Sequence, residues 1–269
     1  MNLTMVALPA GPGFGFAAAF PGPGSEAAPM ALLSFAAAGD MKFGDRRRAA
    51  NRDAFLRDAG LRTELVIGLE LAHSRNVIFP SGVEEAAELA RAAGGADGLV
   101  LGGDPAGRGF AASVTVADCM PIWILDRQSG AFGILHSGWR GTGILAVAVR
   151  ALADRFGSRP SSLSVILGPA IGACCYEVAE ERAARFSAEF GAECVRSRGA
   201  STFLDLRSAN LSIAERLGVG HLLSLESCTS CDERLGSYRR QGGASFTRML
   251  AVCGRSPCEP GIMPGGKRA

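Results

Sequence analysis

Three histidines, His73, His136 and His221, stand against eight cysteines in a chain of 269 residues. Imidazole and thiolate are the usual ligands of a borderline-soft divalent ion, and the same two groups side by side make an activated nucleophile. Cys119 ends a β-rich run in Ala117-Asp118-Cys119-Met120-Pro121. His136 opens His136-Ser137-Gly138-Trp139-Arg140-Gly141 directly after an apolar run. Short strands over 122–125 and 132–135, joined by Asp126-Arg127-Gln128-Ser129-Gly130, read as a hairpin. If its turn centres between Arg127 and Gln128, Cys119 and His136 face each other at about 4.5–5.5 Å between Cα atoms. A third ligand must come from elsewhere, and His73 is the candidate. Two imidazoles and a thiolate leave a fourth tetrahedral position for water or substrate, as in catalytic zinc sites. The residues alone leave two alternatives open. One is a buried cysteine with two hydrogen-bonded histidines; the other is a Cys119–His136 nucleophilic pair.

Other residues could serve such a centre. Arg140 can hold phosphate through a bidentate contact, or sit in a structural ion pair. Asp118 is a candidate acceptor behind the ligand cysteine, a general base, or a turn cap. Tyr176 and Glu177 follow a Gly-Pro loop and are candidates for substrate contact. Arg239 and Arg240 follow Tyr238, and one of them can face a pocket. Cys228-x-x-Cys231 is a single CxxC without a second pair and reads as buried thiols, as does the adjacent pair Cys174-Cys175. His221 follows a Gly-Val-Gly turn and reads as structural. Gly11-Pro12-Gly13-Phe14-Gly15 follows no strand and opens no helix, so it is not a phosphate loop.

The elements that position these residues follow from the pattern of apolar and breaker residues. Residues 1–30, rich in Gly, Pro and Ala, read as irregular. A strand is predicted over 31–35, and a helix over 46–58 with Asp45 as its N-cap. A strand over 65–71 leads to His73, and a helix over 83–93 is closed by Gly94-Gly95. The run 111–116 is β-rich. A helix over 143–156, a strand over 163–167, helices over 179–189 and 205–217, and a strand over 248–253 complete the pattern. Without repeats or a dividing linker, this is one αβ domain over 31–255, with a loose tail at 256–269.

Composition narrows the function. Hydrophobic residues make up 48% and charged residues 20%, an ordinary globular balance. The net charge of +2 argues against nucleic acid or an acidic membrane as the main partner. The basic run Arg46-Arg47-Arg48 reads as a solvated helix face. No apolar run reaches the length of a membrane span, and the first thirty residues lack a basic leader. The expectation is a cytoplasmic protein, in which cysteines serve as ligands, nucleophiles or packing groups rather than disulfides.

At its most distinctive motifs the chain resembles the YfiH/laccase-domain family, also named for multicopper polyphenol oxidases. The matching pieces are Ala117-Asp118-Cys119-Met120-Pro121, His136-Ser137-Gly138-Trp139-Arg140-Gly141, Leu167-Gly168-Pro169-Ala170-Ile171-Gly172, Cys174-Cys175-Tyr176-Glu177-Val178, Cys228-Thr229 and Ser237-Tyr238-Arg239-Arg240. The resemblance implies an α+β fold, a mixed αβ sandwich of the YfiH-like type, in a single domain. It also implies His73, Cys119 and His136 as zinc ligands. The implied activity is phosphorolysis of adenosine, inosine, guanosine and methylthioadenosine, with deamination of adenosine, so that nucleoside and phosphate are the partners. Asp118 and Arg140 are then the catalytic candidates, and Arg140, Tyr176 and Arg239 the substrate-binding ones. The sequence departs from the family at Val116 and Leu101, where threonines are usual, and at Gly39-Asp40-Met41-Lys42-Phe43, which replaces the usual N-terminal elements. Counting favours zinc over copper: a multicopper oxidase needs about four ions and an imidazole-rich ligand set, and three histidines cannot supply it. The His-x-Glu and Pro-Cys-x-x-Cys signature of zinc nucleoside deaminases is also absent. The alternatives are a cysteine hydrolase built on Cys119 and His136, and the polyphenol oxidase of the family's name.

Overall fold

Met120–Asp126 and Phe132–Ser137 show no alternation of polar and apolar residues, and every residue in both strands is buried. Such strands need cover on both faces. The computed structural model, which describes residues 1–8, 13–23, 28–256 and 259–263, provides it in layers.

A mixed seven-stranded sheet runs in the order Asn2–Ala7, His221–Glu226, Leu163–Leu167, Met120–Asp126, Phe132–Ser137, Gly98–Leu101, Val77–Ile78. A six-stranded sheet runs Gly261–Met263, Gly15–Ala19, Met30–Ser34, Met249–Gly254, Ala111–Val116, Val66–Gly68. The two pack face to face. Phe16, Leu33, Val114 and Ala251 of the smaller sheet share one core with Trp123, Ile134 and Ile166 of the larger. Trp123 Nε1 donates across the gap to the Val252 carbonyl at 2.7 Å, which satisfies the one polar atom of a large buried side chain.

Ile122, Ile124, Leu135 and Val165 point the other way, under helices Ile144–Phe156, Glu180–Phe190 and Leu206–Leu217. On the far face of the smaller sheet, Leu32, Leu250 and Val252 meet Phe55 and Leu56 of helix Arg46–Asp58. A small sheet of Glu177–Val178, Ser201–Leu204 and Val195–Arg198 lies to one side. The architecture is thus the expected mixed αβ sandwich. No helix among the described residues is long and apolar enough to cross a membrane.

The expected helices stand within a residue of their predicted ends, but three expectations need correction. The first thirty residues are not irregular: Asn2–Ala7 pairs in parallel with His221–Glu226, and Gly15–Ala19 pairs with Met30–Ser34. Part of the loose tail is also a strand, since Gly261–Met263 pairs with Gly15–Ala19. Gly15–Ala19 is rich in Ala and Gly and lacks local β propensity, and the long-range ladder supplies what the local pattern lacks. Of the Gly11–Gly15 stretch, residues 11 and 12 lie outside the described residues.

The third correction concerns the hairpin. His136 lies opposite Pro121, and Met120 opposite Ser137. Asp126 pairs its N–H with the Ala131 carbonyl at 2.7 Å, so the turn is centred one residue later than predicted. The Asp126 carboxylate fixes that turn by accepting from the Gln128 and Ser129 amides at 3.0 and 3.1 Å and from the Ser158 and Ser162 hydroxyls at 2.6 Å. Cys119 is therefore a diagonal neighbour of His136 across the hairpin, still close enough for side chains to meet.

Candidate metal centre and its pocket

Only His73 (φ 56°) and Asp118 (φ 80°) are non-glycine residues with positive φ among the described residues. Each costs on the order of 1–3 kcal/mol in local strain and persists only where its surroundings fix it. Asp118 is fixed by three bonds. Its Oδ1 accepts from the Thr229 hydroxyl at 2.6 Å, its Oδ2 from the Arg239 amide at 2.7 Å, and its carbonyl from the Ile171 amide at 2.9 Å. These turn the chain so that the next side chain, Cys119, meets the two histidines. His73 is held through Asp97, a fully buried carboxylate in the connection before strand Gly98–Leu101. Asp97 Oδ1 accepts from the His73 amide at 3.0 Å, and Oδ2 from the amides of Ala72 and Ser74 at 3.2 and 2.7 Å and from the Ser74 hydroxyl at 2.8 Å.

The same carboxylate reaches His136, whose Nδ1 lies 2.9 Å from Asp97 Oδ1. That bond fixes the ring so that Nε2 is left for the pocket, the carboxylate–imidazole arrangement found behind metal-bound histidines. The ligand atoms of His73, Cys119 and His136 all lie within 4.8 Å of one another. The His73 and His136 rings stand edge to face, 5.0 Å apart. His136 is buried, Cys119 partly exposed and His73 exposed, so the cluster opens to solvent on one side. Burial raises the Cys119 thiol, but the His136 charge, followed by hydrogen bonds from His136 and His73, outweighs it and brings the thiol down to about 6. Burial lowers the His136 imidazole, but the Cys119 charge and the Asp97 hydrogen bond outweigh it and raise it to about 9. Two nitrogens, one thiolate and an open side fit a single zinc-type ion with bonds of about 2.0–2.3 Å. They do not fit a multicopper set. His221 begins an interior strand, between Asn2 and Ser164, with its ring beside Gly22, and is not part of this cluster.

The cluster forms part of the wall of a pocket of about 740 Å³, within the usual range for a small-molecule site. Phe43, Trp139, Tyr176, Tyr238 and Phe246 give it aromatic faces, and Lys42, Arg182, Arg239 and Arg248 give it positive charge. Tyr176 and Arg239 both line this pocket. Arg239 donates to the Cys175 and Glu177 carbonyls at 3.1 and 2.8 Å and so braces the wall. Arg248 is paired with Asp40 at 3.1 Å. Lys42 and Phe43 bring the divergent 39–43 segment onto the same wall.

Arg140 does not line this pocket. It faces a separate recess of about 240 Å³ with Arg75, Arg185 and Glu189, on the other side of Trp139. Arg182 does line the pocket; it lies over the Trp139 ring at 4.7 Å and forms no ion pair among the described residues. Helix Glu180–Phe190 was legible in the sequence, but the face it turns to the pocket was not. Asp97 was also missed; its one signal is a lone acid at the head of the apolar run Gly98-Leu99-Val100-Leu101. The four cysteines expected to be buried packing also need correction: Cys174 and Cys231 are exposed, and the four Sγ atoms of Cys174, Cys175, Cys228 and Cys231 lie within 4.8 Å of one another.

Comparison with known proteins gives a consistent result. The family described as multi-copper polyphenol oxidoreductase laccase matches residues 35–256. A purine nucleoside phosphorylase of Corynebacterium glutamicum is 33% identical over 72% of this chain and 76% of its own length. One from Deinococcus radiodurans is 33% identical over 78% and 76%. A protein from an unknown prokaryotic organism named adenosine deaminase is 33% identical over 52% of this chain and 58% of its own. Among solved structures, YlmD of Geobacillus stearothermophilus superposes with a TM-score of 0.75 at 26% identity, covering 91% of this chain and all of that one. YfiH of Bacillus licheniformis superposes with a TM-score of 0.72 at 21% identity, over 84% and 92%, and supports the fold.

Proposed function

The chain belongs to the multi-copper polyphenol oxidoreductase laccase family, and on that premise we propose that it is a zinc-dependent purine nucleoside phosphorylase that also deaminates adenosine. The substrates in this reading are adenosine, inosine, guanosine and methylthioadenosine, handled in the reducing cytoplasm. The observation that carries it is the His73–Cys119–His136 cluster, set in the wall of a pocket that combines aromatic faces with cations. The names of the relatives point the same way.

In phosphorolysis a phosphate oxygen bonds to ribose C1′ while the bond to purine N9 breaks, and the departing base takes up a proton. Arg182 and Lys42 are the residues we assign to the phosphate dianion. Tyr176 offers a ring against which a purine can stack, whereas Trp139 already carries the guanidinium groups of Arg182 and Arg140. Burial, then the Cys119 charge, push the Tyr176 hydroxyl up to about 12 against the opposing pull of Arg182. It stays protonated at neutral pH and can donate to a purine nitrogen. Asp118 positions Cys119 through its turn, because both of its carboxylate oxygens already accept hydrogen bonds. A zinc ion held by His73, Cys119 and His136 would supply Lewis acidity toward water or the purine ring.

A nucleoside panel on metal-loaded protein, with and without phosphate and read by chromatography, tests this. Inosine with phosphate is expected to yield hypoxanthine and ribose-1-phosphate, and adenosine alone to yield inosine slowly. No turnover across the panel with zinc bound overturns the reading. Stoichiometric copper in place of zinc overturns the choice of ion. The thiol at about 6 beside an imidazole at about 9 also favours a second reading, a cysteine hydrolase with Cys119 as nucleophile. A covalent adduct trapped on Cys119 during turnover would establish it.

A further inference from the structure

Separate from the pocket ligands, two loops bring four thiols together: Cys174 and Cys175 after the Gly-Pro turn, Cys228 and Cys231 after strand His221–Glu226. We propose that these four cysteines form a second metal site, a closed tetrathiolate that holds one zinc ion and locks the pocket wall. The geometry fits this and no disulfide. Cys231 Sγ lies 3.6 Å from Cys174 Sγ and 3.4 Å from Cys175 Sγ. Four sulfurs at the zinc–sulfur distance of about 2.3 Å stand about 3.8 Å apart along the edges of a tetrahedron. A disulfide needs about 2.05 Å. Among the described residues no histidine or carboxylate joins the four sulfurs in the group, and an all-sulfur tetrahedral set suits zinc.

Two further observations support this reading. The Gly172 amide donates to Cys228 Sγ at 3.2 Å, an N–H to sulfur bond that favours the thiolate a metal needs. Arginines also crowd the loops that carry the thiols. Arg198 Nη1 donates to the Cys174 carbonyl at 3.4 Å, Arg239 Nη1 to the Cys175 carbonyl at 3.1 Å, and Arg240 Nη1 to the Ser230 carbonyl at 3.1 Å. On binding, four thiols release their protons and one divalent ion takes their place, which leaves two net negative charges. The surrounding guanidinium groups offset that charge.

The site would act by stiffening rather than by chemistry. Its four ligands fill all tetrahedral positions, which is the structural pattern. The loops it joins also shape the pocket. Tyr176 follows Cys175, and Thr229, which holds Asp118, follows Cys228. The Ala170–Cys228 bridge already links the two loops. A zinc cross-link there would keep Tyr176 and Asp118 in register with the pocket cluster.

The test separates the two sites. Protein carrying His73→Ala, Cys119→Ala and His136→Ala lacks the pocket ligands. Prepared without chelator under reducing conditions, it is expected to retain about one zinc per chain, and wild type about two. Adding Cys228→Ser and Cys231→Ser should remove the remaining ion. If that variant fails to fold, cobalt titration of the triple variant gives the same answer: a tetrathiolate shows intense sulfur-to-metal charge-transfer bands. Hydrogen exchange at 170–176 and 227–232 should slow on zinc addition to the metal-free triple variant. Absence of zinc and of cobalt charge-transfer bands in the triple variant overturns the proposal. So does iron in place of zinc, or an intact mass showing these cysteines paired as disulfides in anaerobically prepared protein. None of these outcomes depends on nucleoside turnover.

Discussion

Replacing Asp97 with asparagine keeps the size of the side chain and removes its charge and one of its two acceptor oxygens. The carboxylate accepts five donors: the amides of Ala72, His73 and Ser74, the Ser74 hydroxyl, and Nδ1 of His136. Whichever way the amide turns, its NH2 faces groups that are themselves donors, and two or three of them lose their partner. Each buried donor left unpaired costs about 1–3 kcal/mol, so Asp97→Asn should destabilise the fold by roughly 2–9 kcal/mol. For a chain of this size that is a fall in melting temperature on the order of 10 °C. The second effect is on the metal. If the NH2 meets His136, the ring takes the tautomer with its proton on Nε2, the nitrogen the ion needs. Loss of such a carboxylate partner typically weakens metal binding by about 10–100-fold. Thermal melts with and without zinc, and zinc affinity by competition with a chromophoric chelator, read the two effects separately. Zinc affinity within about twofold of wild type would refute the claim that Asp97 sets the His136 tautomer.

Four shorter predictions follow from the same geometry. In metal-stripped protein, alkylation of Cys119 by iodoacetamide should rise with an apparent pKa of about 6, as the lowered thiol requires, and zinc should protect it; a midpoint near the ordinary thiol value would mean the histidines do not act on it. The thiolate and imidazolium stabilise each other between about 6 and about 9. The raised His136 contribution is therefore lost as pH rises through 9, the lowered Cys119 contribution is lost as pH falls through 6, and metal-free melts should fall off on both sides. Gly138→Ala places a Cβ 2.7 Å from Cys119 Sγ; it should cut zinc affinity at least about tenfold and cost about 1–3 kcal/mol in stability by overpacking, and unchanged zinc binding would show that Cys119 has room to move. Arg182→Ala should raise the KM for phosphate at least about tenfold while Arg140→Ala leaves it near wild type, since a lost charge-assisted contact is worth about 1.5–3 kcal/mol; the reverse order would return the phosphate to the recess beside Arg140.

The hairpin shows how far local patterns reach. Two apolar runs and a polar turn are enough to bring Cys119 and His136 together, but the register depends on the Asp126 hydrogen bonds, two of which come from Ser158 and Ser162 far along the chain. His73 is legible through scarcity and resemblance. Its position is not, because an exposed loop is held there by a carboxylate more than twenty residues away. Arg140 misleads for a simple reason: neighbours in a tight turn point in different directions, and Trp139 takes the side that faces the pocket. The four clustered cysteines come from two loops, and nothing in either loop alone reveals the other. The N-terminal strands are hidden because Gly15–Ala19 has no alternation to read and Asn2–Ala7 is exposed along its whole length.

Those same strands bear on the order in which the protein can be made. Asn2–Ala7 is held by His221–Glu226, and Met30–Ser34 by Met249–Gly254. Both sheets thus join segments that lie far apart along the chain. A ribosome that has delivered the entire metal cluster, all of which lies before residue 137, still holds a chain in which neither sheet can close. Local helices can form meanwhile, but pairings of such long sequence separation come slowly and last. The pocket ligands are therefore all synthesised well before the sandwich that fixes them, and zinc offered to the nascent chain would meet loose histidines and cysteines rather than a finished site.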